Sequence, residues 1–388
     1  MDDNRLQRLR KMLDQVAPPG NGPGVKETLE SRSVATEGPT LDVRRVNAAR
    51  LETEIGLEAL DVLQRGGEVD ADQRFVLEAV VMPYHRPVVD VIDNQMKIEQ
   101  LTAKWQHLAN VGLRPRVEAC LLSVGRINVP NLPSLPYAGT GFLVGDDLLM
   151  TNRHVAEIFA QGSGVRSIQF RPGQVAAVDF YHENGRTESE SHSVEKVIMI
   201  HPYWDMALIR VRGLSEKRQP LILSTADPTA WQDGEIVVVG YPGYDPSGDD
   251  EFQRIQNRIF RGTYYVKRVQ PGLVKMRDHI ESFGKPVDAL THDCSTLGGN
   301  SGSAVLALPR SPEEPIQLIG LHFAGRYLVA NYAVPSYDLA QDSRVVDAGV
   351  NFTGPADRRN DFYGSFWREA DAGGTFPDGV PGDPAAQA

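Results

Sequence analysis

The sequence predicts a mainly β protein of the barrel type with a small helical N-terminal extension, and three observations carry that expectation. From about residue 117 to residue 333, short apolar runs recur between clusters of Gly, Pro, Asp and Asn, the texture of many short strands. Ahead of them, apolar residues recur at helical rather than alternating spacing. Of 388 residues, 41% are apolar, which is ample for a core that only two cysteines could supplement.

In chain order, Arg5 to Val16 has the spacing of a short amphipathic helix and runs into Ala17-Pro18-Pro19-Gly20, a linker signal. Leu41 to Leu63 sets Leu51, Ile55, Ala59 and Leu63 on one helical face before Gly66-Gly67. Asp70 caps a helix from Ala71 to Val81 that Pro83 stops. Arg86 to Asn94 reads as a strand and turn, and Ile98 to Asn110 as a further helix. Strands are then expected at Ala119–Val129, Gly141–Val144, Asp147–Thr151, Val165–Arg171, Ala176–His182, Val194–His201 and Met206–Val211. They continue at Ile236–Tyr241, Thr263–Val269, Leu273–Arg277, Ser303–Leu308, Ile316–Phe323 and Leu328–Ala333, with a closing helix from Pro335 to Val345. The resulting division is a flexible segment 1–40, a mostly helical extension 41–111, a β domain 112–348, and a Gly/Pro/Asp-rich tail 349–388 expected to be disordered.

A formal charge of −11 opposes nucleic-acid binding, which depends on clustered Lys and Arg. Arg254, Arg258, Arg261, Lys267 and Arg268, interleaved with Phe260, Tyr264 and Tyr265, read as solvated faces of strands. No stretch reaches the ~20 apolar residues of a membrane span. The polar start Met1-Asp2-Asp3-Asn4 lacks a signal core, and Cys120 and Cys294 are too few for a disulfide framework, so a cytoplasmic location is expected.

Three motifs carry chemistry. Gly298-Gly299-Asn300-Ser301-Gly302-Ser303 surrounds a serine with glycines, as a nucleophile beside backbone N–H donors requires. Thr151-Asn152-Arg153-His154-Val155 follows an apolar run and supplies a base. Tyr203-Trp204-Asp205-Met206-Ala207-Leu208-Ile209 puts an aspartate between apolar runs, where burial demands a partner such as an imidazole N–H. In that logic Ser301 attacks, His154 shuttles the proton, and Asp205 orients the imidazole. His201, though only four residues from Asp205, reads as a turn histidine, and Cys294 as a small buried side chain.

These motifs, in this order and spacing, resemble those of the trypsin-like (chymotrypsin-fold) serine peptidases over roughly residues 112 to 345. Gly139-Thr140-Gly141-Phe142 and Ile319-Gly320-Leu321-His322-Phe323-Ala324-Gly325 resemble further strands of that family. The resemblance implies two antiparallel six-stranded barrels with a cleft between them, no metal or organic cofactor, and a protein or peptide as substrate. It also implies an oxyanion hole made by the N–H groups of Gly299 and Ser301. Asn300 stands where digestive members carry the aspartate of the zymogen ion pair, so that activation switch is not expected.

By the same resemblance, Ser295, six residues before Ser301, falls at the position of the pocket base, where a preference for Lys or Arg would need a carboxylate. Thr296 and His322, with Gly325, resemble the bacterial glutamyl endopeptidases, which implies a preference for Glu before the cut bond. The alternatives are a catalytically silent peptide-binding module, or a partner-regulated protease of a bacterial stress or defence system that uses residues 1–110 to meet its partner.

Overall fold

The computed structural model describes residues 54–59, 61–62, 65, 69–70, 73, 85–166, 168–215, 217–247, 250–326, 330–355 and 361–372. The chain forms two compact units. The smaller takes residues 1–88, 100–107 and 246–262. Within it residues 54–59 are helical, and Asp70 and Gln73 exchange the reciprocal bonds of a capping box, Gln73 N donating to Asp70 Oδ1 at 2.8 Å. The Trp105 indole donates to His85 O at 2.9 Å, and the helix Asp250–Phe260 buries Ile255, Ile259 and Phe260. The helix expected over Arg5–Val16, most of the one expected from Ala71, and residues 373–388 of the tail lie outside the described residues.

The larger unit holds the β structure. Its strands begin with β1 (Val89–Ile92), β2 (Gln95–Met96), β3 (Val124–Asn128), β4 (Gly139–Leu143), β5 (Leu148–Thr151), β6 (Ala160–Gln161) and β7 (Gln169–Phe170). Next come β8 (Ala177–Asp179), β9 (Ser191–Ile200), β10 (Ala207–Val211), β11 (Glu235–Gly240), β12 (Arg268–Ser282) and β13 (Lys285–His292). The last are β14 (Ala304–Ala307), β15 (Gln317–Arg326) and β16 (Ala330–Pro335). Strands β10-β5-β4-β3-β8-β9 close a six-stranded barrel, matching the expected architecture for the first half. Its core gathers Ile127, Leu143, Leu149, Val178, Ile200 and Ile209 from the strands, with Val155 and Phe159 from the helix Arg153–Phe159 and Phe180 from beyond β8.

The second half is an eight-stranded sheet in the order β11-β14-β15-β16-β13-β12-β1-β2, in which β11 also pairs with β12. Two of its strands come from the N-terminal extension. Asp93 and Asn94, both at positive φ, turn β1 into β2, and β1 adds to β12 through Val89↔Val269 and Asp90↔Arg268. The boundary expected at residue 111 therefore cuts through a sheet. Asp90 forms an ion pair with the buried Arg268 guanidinium. Asp90→Ala is expected to lower the unfolding free energy by about 3–5 kcal/mol, read from urea melts, because it takes a carboxylate away from a buried guanidinium. A midpoint equal to wild type would show that this ion pair is dispensable to the sheet.

Several sequence expectations are corrected. Arg114–Leu121 is a helix, so the strand expected from Ala119 starts only at Val124. The strand expected over Val165–Arg171 shrinks to Gln169–Phe170. Thr263–Val269 and Leu273–Arg277 are not two strands: β12 is one run of 15 residues from Arg268, and its partner β13 was not expected at all. The basic cluster is not a set of solvated strand faces. Arg254 and Arg258 lie on a helix, while Arg268 and Lys267 are buried, the Lys267 ammonium donating to Leu121 O at 2.8 Å and Phe180 O at 2.7 Å. The expected closing helix is two, Ser336–Ala340 and Ser343–Asp347. The tail is not wholly disordered, since Gly364–Asp371 is a helix with Trp367 buried. Among the described residues no helix is long and apolar enough to cross a membrane.

Candidate active site

Strand β5 ends at Thr151, and after Asn152 the chain turns into the helix Arg153–Phe159, which carries His154 in its first turn. The connection from β9 to β10 carries Asp205, buried at the barrel end. One carboxylate meets the histidine twice: Asp205 Oδ1 accepts the His154 backbone N–H at 3.0 Å, and Oδ2 lies 2.7 Å from His154 Nδ1. Asn152 Nδ2 donates to the Asp205 carbonyl at 2.9 Å, fixing the turn as well as the side chain. Burial disfavours the imidazolium, yet the charge and hydrogen bond of Asp205, with Glu157 nearby, outweigh it and raise the His154 pKa above 6.5.

Ser301 sits in a turn whose peptide planes are individually fixed. The Gly298 carbonyl accepts from Gly243 N at 2.6 Å, so the N–H on the other side of that trans peptide, which belongs to Gly299, points away. The N–H groups of Asn300, Gly302 and Ser303 donate to Leu297 O, His322 O and Asn300 O at 3.1, 2.9 and 2.8 Å. Those of Gly299 and Ser301 have no backbone acceptor among the described residues. Two donors beside the serine are thus left open, as an oxyanion site requires. Glycine is obligatory here: Gly299 and Gly302 have φ of +83° and +87°, and a Cβ on Gly299 would lie 1.5 Å from Tyr137 Oη.

The serine turn is also bound to the strand that precedes the histidine. Thr140 N donates to Ser301 O at 2.8 Å, and Thr140 Oγ1 donates to Gly299 O at 2.9 Å. A Cβ on Gly139 would touch Ser301 O at 2.9 Å and Val155 Cγ2 at 2.8 Å, so one glycine separates the serine backbone from the residue after His154. The buried Asn300 amide carbonyl accepts from Ser303 Oγ at 3.2 Å and Gln270 Nε2 at 3.3 Å, a neutral role in place of an ion pair.

His322, on β15 behind the serine, is buried and its Nδ1 lies 3.2 Å from His292 Nε2. Burial, then His292 and His154, hold its pKa well below 6.5, so the ring is uncharged at neutral pH. Thr296 Oγ1 donates to Asn331 Oδ1 at 2.5 Å, which commits its proton inside the protein, and Asn331 Nδ2 donates to Cys294 O at 2.7 Å. Gly325 faces the same asparagine: a Cβ there would meet Asn331 Oδ1 at 2.5 Å. Ser295 is buried, its carbonyl taken by Gln270 Nε2 at 2.7 Å.

The structure thus joins His154 to Asp205, ties the Ser301 turn to Gly139–Thr140, and groups Thr296 with Gly325 around Asn331. Asn331, His292, Tyr137, Thr140 and Asn152 were not singled out from sequence. Of these, Asn152, inside the histidine motif, and Thr140, inside Gly139-Thr140-Gly141-Phe142, carried a signal that could have found them.

Residues 139–309 match the family model described as a trypsin-like peptidase domain. A Lysobacter enzymogenes protein named "Probable serine protease" is 27% identical over 300 residues, 70% of this chain and 76% of that one. A glutamyl endopeptidase of Staphylococcus epidermidis is 26% identical over 198 residues, 48% of this chain and 54% of its own length. Among solved structures, a protease from M. tuberculosis in its active form shares 20% identity at a TM-score of 0.39, covering 62% of this chain and 86% of that one.

Proposed function

We propose that this chain, whose residues 139–309 match the trypsin-like peptidase model, cuts peptide bonds through Ser301, His154 and Asp205, with the second sheet supplying the second barrel of the fold. Ser301 Oγ attacks the carbonyl carbon and its proton passes to His154 Nε2. The oxyanion that forms is met by the N–H groups of Gly299 and Ser301. His154 then returns the proton to the leaving amine, and water repeats the sequence on the acyl-enzyme. The observation that carries this reading is the pair of open N–H groups flanking Ser301 in a turn bound to the strand before His154. An alkylphosphonate probe tests it: the full chain should label at Ser301, and an unlabelled full chain would overturn the reading.

The preference proposed for the cleft is an acidic residue before the cut. With His292 Nε2–H assigned as the donor to His322 Nδ1, 3.2 Å away, the His322 proton lies on Nε2, available to a substrate carboxylate. Thr296 supports the pocket indirectly, through Asn331. Because the empty-site imidazole is neutral, a bound glutamate would raise its pKa and draw in a proton. The Glu-over-Leu ratio of kcat/KM is therefore expected to grow as pH falls from about 8 to 6. Equal rates for peptides differing only in Glu, Leu or Ala, at every pH, would remove the acidic preference.

We also assign the chain to the cytoplasm, which the two free thiols, Cys120 and Cys294, support. An active alkaline phosphatase fusion, which requires export, would contradict that assignment.

A further inference from the structure

The turn that carries Asp205 is held on another side by the C-terminal helix Gly364–Asp371, beyond the matched peptidase domain. His201 opens that turn, and its ring is fully buried. Its Nδ1 accepts two backbone N–H groups, those of Tyr203 and Trp204, each at 3.0 Å. An atom that accepts twice carries no proton, so the ring proton is on Nε2, which donates to Asp342 Oδ2 at 3.2 Å. The same oxygen accepts the Trp367 indole N–H at 2.7 Å, while Asp342 Oδ1 accepts Arg344 N at 2.8 Å. A second link runs beside the first: Trp204 Nε1 donates to Tyr363 Oη at 2.9 Å. The rings of Trp367 and Tyr363 pack edge-on against His201 at 4.9 and 5.5 Å between centroids. Arg344 fastens the far end of the helix with a two-pronged pair to Asp371, at 2.7 and 3.1 Å.

We propose that Trp367, Asp342 and His201 are positioning residues for Asp205, so that the C-terminal helix sets the geometry of the catalytic carboxylate. The proposal rests on the triad reading above. The two N–H groups capped by His201 immediately precede Asp205, whose carboxylate must meet both the backbone and the ring of His154. A shift of the turn would break that double contact before it unfolds anything. Burial pulls His201 toward its neutral form, and the donors around Asp342 outweigh burial to keep that carboxylate ionised, the pair of states this hydrogen-bond pattern requires.

Trp367→Phe in the full chain keeps an aromatic ring and deletes the indole N–H. It is expected to lower kcat about tenfold with KM changed less than about twofold. Asp205, Glu157 and His322 are the titratable groups that couple to His154. The substitution weakens only the Asp205 contribution, so the acid limb of kcat/KM should move to lower pH. The low-field proton resonance of His154 Nδ1–H, identified by its loss in His154→Ala, should move upfield. A loss of kcat with limb and resonance unmoved, or wild-type values throughout, would overturn the proposal. Should Trp367→Phe fail to fold, Tyr363→Phe, which deletes the acceptor of Trp204 Nε1, is read in the same three ways. If the wild-type chain cleaves nothing, the triad reading falls, and the resonance shift alone still decides the positioning role.

Discussion

Ser301→Ala is expected to reduce kcat by on the order of 10⁶, with substrate binding and the melting curve kept near wild type. The asymmetry follows from the site. The Ser301 carbonyl accepts from Thr140 N, its N–H has no backbone acceptor among the described residues, and the substitution preserves both. On the proposed mechanism, what is lost is the atom that forms the acyl bond. The residual rate should exceed that of uncatalysed hydrolysis, because the Gly299 and Ser301 donors remain. Single-turnover kinetics on a peptide ester, with phosphonate titration of the wild type to count active sites, checks the number. A variant that retains more than about a hundredth of wild-type kcat would point to a different nucleophile.

Asp205→Asn is expected to lower kcat about 10⁴-fold while leaving the turn in place. Each Asp205 oxygen accepts one His154 N–H, from the backbone and from Nδ1. An amide can accept at only one of them and presents an N–H at the other. If that N–H faces the ring, Nδ1 becomes the acceptor and the proton moves to Nε2, the atom that must receive the Ser301 proton. The pH profile carries the sign. In the wild type the raised His154 pKa is expected to put the acid limb of kcat/KM above pH 6.5, with activity falling as pH drops through it. Without the Asp205 charge, burial is opposed by Glu157 only, and the limb should move to lower pH. A wild-type limb in Asp205→Asn would show that some other group holds the imidazolium.

The legible parts of the molecule were those in which local chemistry and tertiary role coincide. His154 and Asp205 stood out because each follows an apolar run and Ser301 because glycines surround it, while the first barrel followed from the short apolar runs between turns and from the family resemblance. β13 was hidden because Lys285-Pro286 opens it and its exposed positions carry no alternation sharp enough to separate it from the β12 turn. Asn331 was hidden for a different reason: its contact with Thr296 spans 35 residues of sequence and depends on the pairing of β15 with β16. His201 looked like a turn feature and is one. Its significance comes from Asp342 and Trp367, more than 140 residues away, in a segment whose Gly, Pro and Asp content masked a helix with a buried tryptophan.

The hairpin β1–β2 has a consequence in time. Val89 pairs with Val269, so 180 residues must leave the ribosome before the hairpin finds its place. At about 5–20 residues per second that interval is roughly 9–36 s. Throughout it, the edge of β1 stays unpaired while the first barrel, complete at Val211, can already fold. The nucleophile turn emerges later still. On the triad reading a nascent chain cannot cut until residue 301 has emerged, whereas the open edge of β1 is exposed from early in synthesis.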